Sequence, residues 1–119
     1  MINELSSMIG HTMVSVSGDT GADEMVFTSR TGKTFKFVHY QNCCENVRIE
    51  DIVGDLTDLV GSPIILAEEV SNEDAPVQPT DEGSWTFYRF ATGNGLVSVR
   101  WLGTSNGYYS EGVDFEESP

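Results

Sequence analysis

The sequence predicts an α+β domain that is mainly antiparallel sheet, with about six to seven strands and two short helices. Three observations carry this: apolar residues alternate with period two over most of the chain, tight-turn dipeptides separate those runs, and only two stretches show helical spacing. The 119 residues suit one domain spanning 1–119, and the 39% hydrophobic content suits a packed core.

The first helical stretch is Ile2–Ile9, with Ile2, Leu5, Met8 and Ile9 on one side and Gly10 as its stop. The period then changes to two. Met13–Val16, Glu24–Thr28 and Thr34–Tyr40 read as strands joined by the turns Ser17–Gly21 and Ser29–Lys33, an antiparallel meander. Val47–Ile49 is a brief extended piece. Glu50 and Asp51 then stand as N-terminal carboxylates of a second short helix, lined by Ile52, Leu56 and Leu59 and stopped by Gly61 and Pro63. Ile64–Val70 reads as an edge strand. Residues 71–83, with two prolines and four acids, read as a flexible loop. Trp85–Ala91, Leu96–Leu102 and Tyr108–Phe115 complete the strands. Asn94-Gly95 marks a hairpin between the first two.

The formal net charge is −13, from 19 acidic and six basic residues. Such a surface repels nucleic acid, whose affinity for proteins comes largely from Lys and Arg at phosphates. It suits either plain solubility or a basic protein partner. No apolar run is long enough for a membrane span, and Met1–Glu4 has neither the basic nor the apolar region of a signal peptide, so a cytoplasmic location is expected. Cys43 and Cys44 are adjacent, a poor geometry for a disulfide, and read as reduced thiols.

Three clusters carry candidate chemistry. On the C-terminal hairpin, a two-residue Asn94-Gly95 turn sets Arg89 opposite Arg100, and a register shifted by two still leaves both on one face. Trp85, Phe87, Ala91, Ser98 and Leu102 share that face, and Tyr88, Phe90, Val97, Val99 and Trp101 form the core side. Guanidinium forks suit phosphate or carboxylate and aromatic rings suit a flat base, which points to an anion or nucleotide pocket. The alternative is an internal ion-pair network with Glu68, Glu69 or Glu111 as counter-charges.

The second cluster, His39–Glu45, holds an imidazole, two thiols and a carboxylate. His39, Cys43 and Cys44 are weak candidates for zinc or for a cysteine nucleophile, because the second ligand cluster and the third catalytic member are both missing. A buried thiol in an irregular loop is the simpler account, and neither metal nor cofactor is expected. The third cluster is Ser105–Glu111, where Ser105, Asn106 and Tyr108 would line the rim of a pocket or belong to another tight turn. No Gly-rich phosphate loop, Gly-x-Ser-x-Gly elbow or zinc-protease motif is present, so binding is expected before catalysis.

His39-Tyr40-Gln41-Asn42-Cys43-Cys44-Glu45, Glu50–Leu56, Trp85–Tyr88, Arg100-Trp101 and Ser105–Glu111 together resemble an uncharacterised family of small phage and prophage proteins. That family carries Asp where this chain has Asn42. The resemblance implies phage origin, the host bacterial cytoplasm, and no assigned activity. By analogy with other small phage proteins it implies counter-defence by a non-enzymatic protein that sequesters a nucleotide-derived immune signal, with a homo-oligomer left open. The alternative is an acidic, DNA-mimic-like inhibitor of a basic host protein, and a weaker one is a Cys/His hydrolase.

Overall fold

In the computed structural model, described over residues 4–40, 46–70, 83–104 and 113–119, the chain forms eight strands in two antiparallel sheets. β1 (Met13–Ser17), β2 (Glu24–Ser29), β3 (Thr34–Val38) and β8 (Asp114–Ser118) make one sheet in the order β1-β2-β3-β8. β4 (Asn46–Val53), β5 (Leu66–Val70), β6 (Gly83–Thr92) and β7 (Gly95–Thr104) make the other, in the order β4-β7-β6-β5. Gly83, assigned to the loop from sequence, is the first residue of β6. The loop's residues 71–82, like residues 108–112 of the expected last strand, lie outside the described residues.

The alternation read from sequence is the alternation of burial. Met25 and Phe27 of β2 and Phe35 and Phe37 of β3 point inward, as do Val47 and Ile49 of β4. Tyr88, Phe90, Val97, Val99 and Trp101 face them from the hairpin, as expected for its core side. Phe27 meets Phe90 at 4.9 Å between ring centroids, and Phe37 meets Tyr88 at 4.8 Å, so the two sheets share one core.

The two expected helices are not α-helices. Each shrinks to a single 3-10 turn, Glu4–Met8 and Leu56–Leu59. The first has only Leu5 and Met8 to bury, and so short a segment cannot hold an α-helix by itself. In the second, Gly54 takes a φ of +111° and breaks the chain ahead of Asp55, whose carboxylate caps the turn by accepting from the Thr57 N–H at 3.0 Å. That hydrogen bond, with the Thr57 hydroxyl, holds the Asp55 carboxyl below its ordinary value. Glu50 and Asp51 are therefore strand residues of β4, not helix caps. The β-branched Ile52 and Val53 favour the strand that pairs with β7 over a helix.

Tyr88 sits between the sheets at 2% exposure. Burial, then the nearby Glu69 carboxylate that it bonds, pushes its hydroxyl well above the ordinary tyrosine value of 10.0. An unfolded chain ionises this tyrosine near pH 10, whereas the folded chain keeps its proton. Stability from this group is thus complete below pH 10 and falls as pH rises further, by up to about 1.4 kcal/mol per pH unit. Urea titrations between pH 9 and pH 11 should show this extra slope in the wild type and its loss in Tyr88→Phe.

Candidate functional site

The outer face of the β4-β7-β6-β5 sheet collects the residues singled out on the C-terminal hairpin. Its register differs from the expected one. Thr92 pairs with Gly95, so Gly93 and Asn94 form the turn. The Thr92 hydroxyl fixes this choice, donating to the Asp58 carbonyl and accepting from the Asn94 N–H at 3.1 Å, while the Asn94 amide reaches Ser62 at 3.1 Å. Moving the turn by one residue shifts the pairing by two. Arg100 lies opposite Phe87, and Arg89 opposite Ser98. The two arginines are diagonal neighbours on one face, as the alternation requires, rather than directly opposed.

Each arginine meets carboxylates of its own chain. Arg100 Nε donates to Glu50 Oε2 at 2.5 Å, its Nη2 reaches the same oxygen at 2.5 Å, and Asp51 Oδ2 lies 3.9 Å from Nη2. A bulge in β4 explains this double attention. Ile49 pairs with Trp101 and Asp51 with Arg100, so Glu50 is an extra residue and two carboxylates oppose one guanidinium. Arg89 Nη1 lies 3.6 Å from Glu68 Oε1, directly across the β5–β6 ladder. Glu68 was an expected counter-charge. Glu69 instead serves Tyr88, and Glu111 lies outside the described residues. Glu50 and Asp51 were missed because they were read as helix caps. The gap of three between Ile49 and Ile52, in a run otherwise spaced by two, was the available signal for a bulge.

Trp85 forms the floor beside Arg100, with the guanidinium carbon 4.9 Å from its ring centroid and the Phe87 ring 6.5 Å away. Next to this stack is a cavity of about 270 Å³. Asp51, Val53, Phe87, Arg89, Ser98 and Arg100 line it. Chemically the face offers two planar donor forks, an aromatic floor and a serine hydroxyl, but its arginines are already neutralised locally. Any anion that binds there has to compete with Glu50, Asp51 and Glu68.

Of the other expected site residues, His39 alone is described, and it is not among the residues that line this cavity. His39 follows β3, 5% exposed, while Cys43 and Cys44 lie outside the described residues, as do Ser105, Asn106 and Tyr108. Among the described residues, no group of three or more His, Cys, Asp or Glu is placed to hold a metal ion. No helix among them is long and apolar enough to cross a membrane.

Neither the curated proteins nor the solved structures contain a match to this chain. A family model does match, across residues 6–115, which takes in both sheets and the arginine face. The chain belongs to the family described as Domain of unknown function (DUF7448).

Proposed function

We propose that this chain is a phage- or prophage-encoded, non-enzymatic binding protein of the host bacterial cytoplasm. It acts in counter-defence by taking up a small anionic, nucleotide-derived signal. The observation that carries this reading is the Arg100 guanidinium over the Trp85 ring, beside Phe87 and one strand from Arg89. A flat base has rings to stack on, and a phosphate has two forks within reach of the same cavity. Glu50, Asp51 and Glu68 keep the forks positioned and are the groups a phosphate displaces.

Thermal-shift screening against cyclic nucleotides and ADP-ribose isomers tests the proposal. A ligand at about 100 times its Kd adds about 2.7 kcal/mol, which a melting curve of a domain this size reports as several degrees. Arg100→Ala and Arg89→Ala should each remove the shift, and Glu68→Gln should enlarge it by freeing Arg89. No shift with any nucleotide, or an unchanged shift in Arg100→Ala, rejects the reading.

A second reading is favoured by β8. This edge strand exposes Asp114, Glu116 and Glu117, and its far side is unpaired among the described residues. An inhibitor of a basic host protein would dock there. Its complex, recovered from bacterial lysate, would weaken as salt is raised.

A further inference from the structure

The outer face of the β4-β7-β6-β5 sheet differs in charge from the rest of the chain. Arg48 lies between the inward-pointing Val47 and Ile49 of β4 and is therefore on the outer face, with Arg89 and Arg100. Among the described residues, three of the chain's six basic residues share this face with the acids Glu50, Asp51 and Glu68. Among the described residues the charges of this face balance.

The same face is also apolar at its turn end. Leu96 is 53% exposed and Val53 63% exposed, diagonal neighbours because Val53 pairs with Ser98. The half-buried Leu66 lies across Ala91 from Leu96, extending the patch toward β5. Arginine and tryptophan flanking exposed aliphatic residues is the composition of an interface core, and the charge pattern is self-complementary.

We infer that this face, centred on Leu96 and Val53, docks a second copy of the chain in a two-fold symmetric dimer. Two chains of formal charge −13 repel each other, and on this face the described charges balance, so contact there sets each described base within reach of an acid. A symmetric contact places the same patch on both sides, so Arg89 and Arg100 of one protomer can face the Glu68 and Asp51 of its partner. The four strands hold 33 residues and cover roughly 530 Å² in projection, about two thirds of a standard interface per partner. The inference does not depend on the proposed ligand.

Sedimentation equilibrium of the full chain without nucleotide is the test. The wild type should sediment at twice its 13.1 kDa mass. Added NaCl should tighten the dimer, because salt screens the repulsion between the acidic remainders more than it weakens a neutral contact. Leu96→Glu and Leu96→Lys, alone, should each be monomeric, since the two-fold sets like charges together. Mixed in equal amounts they should dimerise again, which misfolded variants cannot do. Val14→Glu, on exposed β1, should remain dimeric. A monomeric wild type, dimers persisting in both single variants, or no recovery on mixing overturns the inference. The dimer covers the cavity lined by Val53, Arg89 and Arg100, so nucleotide binding is read separately, by thermal shift on the monomeric Leu96→Glu variant.

Discussion

Phe37→Ala should lower the unfolding free energy by about 3–5 kcal/mol, the largest single effect expected in this chain. Phe37 is fully buried in β3, and its ring touches Phe27 at 5.8 Å, Tyr88 at 4.8 Å, Phe90 at 5.5 Å and Phe115 at 5.0 Å. These partners come from both sheets, so the ring is a contact that joins one layer to the other. Removing it loses the transfer free energy of the ring and leaves a cavity that neither rigid sheet can close. A domain of this size has roughly 5–15 kcal/mol in total, so the variant should unfold at clearly lower urea. Equilibrium urea unfolding checks the expectation through a falling midpoint at constant slope. Phe37→Leu should cost much less. A loss below about 1 kcal/mol for the alanine variant would mean that the two sheets are not held together through this ring.

Gly54→Ala should cost about 2–4 kcal/mol, from two separable causes. The φ of +111° strains any L side chain. In addition, a Cβ here would lie 2.6 Å from the Leu96 carbonyl oxygen and 3.2 Å from the Val97 Cα. Both neighbours are backbone of β7, and moving them disturbs the hairpin that carries Arg100. Gly61 separates the causes: its φ is +89°, with nothing within 4 Å of a Cβ. Gly61→Ala should therefore show strain alone, about 1–2 kcal/mol. Equal losses at the two positions would show that the close approach to β7 has no energetic weight. The backbone approach also has a consequence for the site. Gly54 follows Val53 directly, so a displaced β4 end should loosen the cavity wall, and ligand binding should weaken in Gly54→Ala but not in Gly61→Ala.

Much of the fold was legible in the sequence because a strand's pattern is local. The core side of the hairpin, Tyr88, Phe90, Val97, Val99 and Trp101, followed from period two and its apolar content. The shared face of Arg89 and Arg100 followed from the period itself, and it survives a register shift of two because side chains alternate. The two helices were misread for a physical reason. Helical spacing over Ile2–Ile9 and Ile52–Leu59 is also satisfied by a few apolar residues plugging the sandwich from short 3-10 turns, and periodicity over so few positions cannot separate the two.

What the sequence alone determined is the alternating core, the scarcity of positive charge, and the placement of two arginines beside two aromatic residues on one outer face. Tertiary structure decided what those arginines meet. The Thr92, Asp58 and Ser62 hydrogen bonds set the turn, and the turn sets which residues oppose each other. A bulge in β4, a strand distant in sequence from the hairpin, then brings Glu50 and Asp51 to Arg100. Charge pairing acts through space over a few ångströms, between residues fifty positions apart, so no local pattern specifies it.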